Sequence, residues 1–160
     1  MEIRVIDFEI LTTHYKKYRD GVDVINFERK KILEEIEPIK NEMNMIISSA
    51  TTGIILNGQT QQQQAERFQE LQQQIMEIDN DFKVKNKKMV DELNTKCYDE
   101  LSEMITNWAK DNSIDVVSGK MEIIYNNDNL DITDDIIELL KQRDLYVDRE
   151  IVNQTEKESV

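Results

Sequence analysis

The stretch LTTHYKKYRDGVDVINFERKKILEEIEPIKNEMNMIISSA, residues 11–50, decides the fold. In alternating steps of four and three it yields Leu11, Tyr15, Tyr18, Val22, Ile25, Arg29, Ile32, Ile36, Ile39, Met43, Ile46 and Ala50. Only Arg29 interrupts the apolar series. A sustained period of 3.5 lays one narrow apolar seam along a helix, and such a seam needs a partner helix to cover it. About 40 helical residues rising 1.5 Å each make a rod of roughly 60 Å, too long for the edge of a compact globule of this size. The rod pairs with another rod of the same chain, with other chains, or with both.

Two residues inside the stretch work against a straight helix. Gly21 costs it about 1 kcal/mol. Pro38 removes a backbone hydrogen bond and crowds the preceding turn, which predicts a kink near Glu34–Glu37. The seam keeps its phase through Pro38, so the expectation is one bent helix rather than two. Upstream, Ile3 and Val5 share one face of a short β-branched run from Glu2 to Phe8, which reads as a strand.

Downstream, the period stops at Thr51-Thr52-Gly53. Residues 51–60 hold two glycines and an apolar centre, Ile54-Ile55-Leu56, and read as the turn between antiparallel helices. Thr60 is placed to cap the returning helix. The run Gln61–Gln64 is short and made of a good helix former, so it reads as solvated helix. The seam then returns as Phe68, Leu71, Ile75, Ile78, Phe82, Lys85 and Met89. Its spacing lengthens through Leu93, Cys97, Leu101, Met104 and Trp108, a stutter that locally unwinds a left-handed supercoil. The helix is expected to stop near Asp111-Asn112, completing an antiparallel coiled-coil hairpin about 60 Å long.

Beyond it the period shortens to about two. Asp115–Ser118 and Met121–Tyr125 read as strands joined by a turn at Ser118-Gly119-Lys120. A helix then begins with Thr133 placed to cap it, Asp134 and Asp135 in its first turn, and Ile132 and Ile137 at staple spacing. It carries Ile136, Leu139 and Leu140 to about Asp144, and residues 145–160 read as a polar tail. Three such small strands make no sizeable core alone and leave open edges. Closing the sheets of several subunits into one barrel solves both problems.

Composition removes several classes of function. The chain has 160 residues, a net charge of −13, one Pro and four Gly. From Asp111 onward thirteen acidic residues face five basic ones. Phosphates repel such a chain, so nucleic acid is not an expected partner, and neither is an anionic membrane surface. The longest wholly apolar runs are three residues, far short of a membrane span. Cys97 is alone and lies in the helical seam, so it reads as core. His14 is the sole histidine, and no ligand spacing accompanies it, which argues against zinc. The cluster Asp128, Asp131, Asp134 and Asp135 lacks the glycine and the distal glutamate of a calcium loop, and helix capping accounts for it. There is no phosphate-binding glycine loop and no nucleophile elbow. No enzymatic activity, metal or cofactor is expected. Asn153-Gln154-Thr155 fits a glycosylation triplet, a pattern short enough to arise by chance.

Several segments carry a family resemblance. Asp115-Val116-Val117, Glu122-Ile123-Ile124-Tyr125 and Leu130-Asp131-Ile132-Thr133-Asp134, followed by Ile136, Ile137 and Leu140, resemble the C-terminal end of the Skp/OmpH chaperones. The opening Ile3-Arg4-Val5-Ile6-Asp7 followed by a helix is similar to that family's start. The resemblance implies a homotrimer with a small shared β-barrel and three helical hairpins around a cavity. That cavity would hold unfolded proteins without ATP. On this reading residues 1–10 and 113–144 form the trimerisation base, 11–112 the hairpin arm with its tip at 51–60, and 145–160 the tail. The base would use Ile3, Val5, Val116, Ile124, Ile132 and Ile136. The family's best-known members are exported and basic, whereas this chain is acidic and opens without a signal peptide. The expectation is a cytoplasmic relative if Met1 is the native start, for instance one carried by a phage, and a periplasmic one if the sequence is trimmed.

At the tip, Ile54, Ile55 and Leu56 either fold back to plug the hairpin or stand exposed as a client contact. Two functions fit the chain. One is an ATP-independent holdase for unfolded or assembling proteins, with avidity across three arms. The other is a structural coiled-coil scaffold or assembly component.

Overall fold

The computed structural model describes residues 1–54 and 58–148. Its elements are β1 (Ile3–Ile6), α1 (Phe8–Thr13), α2 (Lys16–Thr52), α3 (Gln61–Asp111), β2 (Val116–Gly119) and α4 (Thr133–Gln142), with 3-10 turns at Lys120–Glu122 and Asp128–Leu130. The chain is mostly helical, with two long helices and a small sheet. It divides into two compact units, Met1–Asp23 with the chain from Asp91 onward, and Val24–Val90.

In the first, mixed unit, β1 and β2 pair in parallel, with Ile3 opposite Val116 and Ile6 opposite Gly119. A parallel pair needs a long crossover, and here the entire helical hairpin supplies it. On its other edge β1 meets only a bridge at Asp131, where Ile132 N–H donates to Val5 O at 2.9 Å. The core beneath gathers Leu11, Tyr15, Cys97, Leu101, Ile136 and Leu140, of which Leu11, Leu101, Ile136 and Leu140 are 0% exposed. Gly21 finds its reason here. A Cβ at that position would lie 2.2 Å from Leu93 Cδ1, so only glycine lets α2 and α3 approach this closely.

The sequence predicts one helix from about Leu11, but the structure breaks it at His14-Tyr15. Asp7 caps α1 by accepting from Ile10 N–H. Thr12 and Thr13 turn their hydroxyls back onto the carbonyls of Phe8 and Ile10, a local competition with helix propagation. The segment after α4 then straps the break. Lys16 N–H donates to Leu145 O at 2.8 Å, Val147 N–H donates to His14 O at 2.9 Å, and the His14 and Tyr146 rings stack at 5.3 Å. The first residues of the expected polar tail are therefore docked, because this break leaves backbone groups for them to satisfy.

Both α3 and α4 end on a left-handed residue that is not glycine, Ser113 (φ 56°) and Asp144 (φ 55°). In each case the next residue is apolar and donates back into the helix, Ile114 N–H to Ala109 O and Leu145 N–H to Leu140 O. This is the Schellman arrangement with an unusual residue at its turning point.

The second unit is a two-helix hairpin. Leu71, Ile39 and Ile46 are buried in its seam, with Met43, Phe68, Ile75 and Ile78 packed against them. Pro38 stands on the exposed side and α2 continues through it. The carbonyl of Glu34 that lost its donor belongs to an exposed residue, where water replaces the missing bond. Thr60 and Gln63 form a reciprocal cap at the start of α3. Thr60 Oγ1 accepts from Gln63 N–H at 3.2 Å, and Gln63 Oε1 accepts from Thr60 N–H at 2.9 Å. The Lys85 assignment to the seam is corrected. Lys85 is exposed and pairs with Glu28 at 2.6 Å, while Asn86 turns inward, its Oδ1 buried without a hydrogen-bond partner. A lysine head seeks water and an opposing carboxylate, so the helix settles one residue over.

Candidate functional site

The expected third strand, Met121–Tyr125, does not form. Lys120–Glu122 is a 3-10 turn, and no strand follows it before α4. A strand exists only by pairing, and among the described residues nothing meets this segment as a strand neighbour. Its side chains stand open instead, Met121 90%, Ile124 107% and Tyr125 82% exposed. Beside them the outer edge of β2 has no strand partner among the described residues, where the sheet has two strands. An open groove of about 670 Å³ runs along it, lined by Phe8, Tyr98, Ile105, Val116, Val117 and Met121 among others.

The six residues expected at a trimer base separate into two kinds. Val5, Ile132 and Ile136 are at most 3% exposed and belong to the core of the single chain. Ile3, Val116 and Ile124 keep 38% or more of their surface. Ile3 and Val116 sit side by side in register, so two of the three exposed residues form one patch. Met121 and Tyr125 join this exposed set. Alternating hydrophobicity marks their segment as apolar, but cannot tell an inward strand from an outward one.

Polar bonds hold the β1–α4 junction. Asp131 Oδ1 accepts from Thr133 N–H and from its hydroxyl, and Asp131 Oδ2 accepts from Lys120 Nζ at 3.1 Å. Burial pushes the Asp131 carboxyl up, but Thr133 and Lys120 outweigh it and leave the group below its usual range. Thr133 does not cap α4 with its own side chain, as the sequence predicts. Its Oγ1 accepts from Asp7 N–H at 2.9 Å and ties α4 to the start of α1. Of the acidic cluster, Asp131 is held by these bonds and Asp134 and Asp135 lie in the first turn of α4; among the described residues no group of three or more His, Cys, Asp and Glu is arranged to hold a metal ion.

In the core of the same unit, Tyr15 donates its hydroxyl to Glu100 Oε2 at 2.5 Å, and Lys17 Nζ donates to the same oxygen at 3.1 Å. Burial, then Glu100, pushes the Tyr15 phenol well above its usual value. The Tyr15 hydroxyl and Lys17 hold the Glu100 carboxyl below its own. Cys97 is buried and its thiol is pushed up by that burial, which makes it an inert core residue.

At the hairpin's turn, Ile54 is 65% exposed, while Ile55 and Leu56 lie outside the described residues. Ser49 is buried, with its Oγ directed at Ile54 O and 3.3 Å from Gln64 Oε1. A groove lies beside this polar contact, lined by Ile46, Ile47, Ile54, Phe68 and several glutamines. The reading of Gln61–Gln64 as solvated helix holds for Gln61, Gln62 and Gln63, which are exposed, whereas Gln64 is buried against Ser49. The stretch around it also stands out by charge. No residue from Met43 to Ala65 is charged, in a chain that is 33% charged.

Among the described residues, the two-helix hairpin and the small mixed unit both leave apolar side chains open at their surface. Comparison with known families matches residues 2–140 to the family described as outer membrane protein (OmpH-like). The match covers most of the chain, which therefore belongs to the Skp/OmpH-like family, a family of chaperones. Among curated proteins nothing matches the chain.

Proposed function

We propose that the protein is an ATP-independent holdase that binds unfolded or assembling proteins between the arms of a homotrimer. Residues 1–10 and 113–144 act as the trimer base and the hairpin as the arm. The observation that carries the reading is the apolar surface left open on both helices of the hairpin unit, where Phe27, Leu33, Met45, Met76 and Val84 are each more than half exposed. A two-helix rod has one seam and cannot cover these side chains, whereas an unfolded chain brings apolar groups of its own. Many weak contacts on three arms add up by avidity. The free edge of β2 and the open Met121, Ile124 and Tyr125 support the trimer, since a neighbouring copy can complete the sheet.

Two measurements test the proposal. Sedimentation equilibrium is expected to give three times the chain mass, and Ile124→Asp to lower it; a wild-type single subunit overturns the trimer. Dilution of a denatured protein into stoichiometric trimer without nucleotide is expected to suppress its aggregation. Unchanged aggregation overturns the holdase and leaves a structural scaffold.

A further inference from the structure

The turn end of the hairpin is chemically unlike the rest of the chain. Twenty-three consecutive positions, Met43 to Ala65, carry no charge, and described residues of this stretch together with Phe68, Gln69 and Gln72 line a groove of about 560 Å³ between α2 and α3. That volume lies within the roughly 300–1,000 Å³ of pockets that seat ligands. Ile46, Ser49 and Gln64 are buried in its lining with Phe68 half-buried beside them, and Ile47 and Ile54 are more than half exposed. Around them stand Gln59, Gln61, Gln69 and Gln72.

A glutamine amide both donates and accepts, as a peptide group does. A set of such amides around an apolar floor can pair with the N–H and C=O groups of a chain whatever its sequence, while the floor takes an apolar side chain. Charged side chains lining the groove would have to be desolvated or paired on binding, and among the described residues none lines it. The occupant must therefore bring open backbone groups and apolar side chains together, with no charge to strip. An unfolded segment does so. A second copy's helices bring backbone already paired within the helix. Lipid chains offer the amides no partner, at a cost for every amide buried.

We propose that this groove seats an extended, uncharged, apolar-bearing segment of an unfolded polypeptide. The inference rests on the holding function proposed above and goes beyond it by assigning a contact to the turn end and a class to the segment.

The test uses the full chain and an end-capped fluorescent peptide of alternating Leu and Ser, with twin peptides carrying Asp or Lys in place of Ser. Fluorescence anisotropy is expected to show the uncharged peptide bound at least tenfold more tightly than either twin. Ile47→Glu and Ile54→Glu, at exposed positions and with helix content checked by circular dichroism, are each expected to weaken it at least tenfold; Lys30→Glu, outside the groove, is expected to leave it unchanged. Equal binding by the groove variants overturns the proposal, as does tighter binding of a charged twin. A doubling of mass that the groove variants abolish, without peptide binding, assigns the groove to a second copy and also overturns it. Association with phosphatidylcholine vesicles without peptide binding overturns it in favour of lipid. The aggregation assay separates this inference from its foundation. If wild type suppresses aggregation and the groove variants bind and protect equally well, the seat alone falls. If wild type fails to suppress aggregation, the holding function falls, while peptide binding lost in the variants still supports the seat.

Discussion

The mixed unit and the hairpin unit are built from the same two helices on opposite principles. The mixed unit draws α1, α4, β1 and parts of α2 and α3 around side chains with no exposed surface. The hairpin has one seam, in which only Leu71 falls below 2% exposure. Charge divides the same way. The mixed unit holds 23 acidic against 11 basic residues, and the hairpin unit 10 against 9. A core assembled from several elements tolerates strong self-repulsion, because buried apolar area outweighs surface charge. A two-helix rod has no such reserve. It is close to neutral and adds cross-pairs, with Arg67 reaching both oxygens of Glu42 at 2.7 and 3.1 Å and Lys85 bonded to Glu28. The lesson is that open apolar side chains have two origins: in the mixed unit they lie along a sheet edge outside a closed core, and in the hairpin they are what a single seam cannot cover.

Substitutions sharpen or break that contrast. The largest effect is expected from Ile136→Ala, which empties a fully buried site and costs about 2–5 kcal/mol in urea unfolding. Ile75→Ala, at a half-buried seam position, is expected to cost about 1–2 kcal/mol; equal costs would erase the distinction between the units. Gly21→Val drives a side chain into Leu93 and is expected to cost about 1–3 kcal/mol, with much of the loss recovered in the double variant with Leu93→Ala. Additive losses would show that the close approach of α2 and α3 is not the cause. Asn86→Leu replaces a half-buried side chain whose Oδ1 is buried without a partner by a seam residue, and is expected to stabilise the hairpin by about 1 kcal/mol, read as a higher urea midpoint.

The smallest effect is one of pH. Glu100 sits below its ordinary value of 4.5 in the folded chain because Tyr15 and Lys17 donate to it. The unfolded chain therefore takes up this proton first. The contribution is complete above 4.5 and fades as pH falls through the folded value. Glu100→Gln removes that step. The gap in urea midpoint between wild type and variant is expected to be full at neutral pH and to close below 4.5. A gap that persists in acid would remove the carboxylate from the account.

The parts legible in the sequence are those whose signals are local and repeated. The seam from Leu11 to Ala50 and its return from Phe68 to Trp108 marked the two long helices, because their period persists over many turns, although Leu11 falls in α1 and at the far end Ser49 is buried in place of Ala50. The cap at Thr60 and the stop near Asp111 came from short-range chemistry. Where the reading failed, a partner distant in sequence decided. Lys85 and Asn86 differ by one position, and Glu28, 57 residues away, draws the lysine outward. The break at His14 needs Leu145 and Val147 to satisfy its backbone. Ser113 and Asp144 end their helices without the glycine that usually marks such a turn. For the candidate sites, the alternation at Met121–Tyr125 was visible, but its missing neighbour was not.

By itself the sequence determined that this chain has two long antiparallel helices with one apolar seam, because helical periodicity is written in neighbouring residues. It also determined the uncharged end, because charge is a property of residues and not of their arrangement. Only the tertiary structure decided which of Ile3, Val5, Val116, Ile124, Ile132 and Ile136 are spent on the chain's own core and which stay open. Burial depends on what arrives from more than a hundred residues away, and no local pattern encodes that arrival.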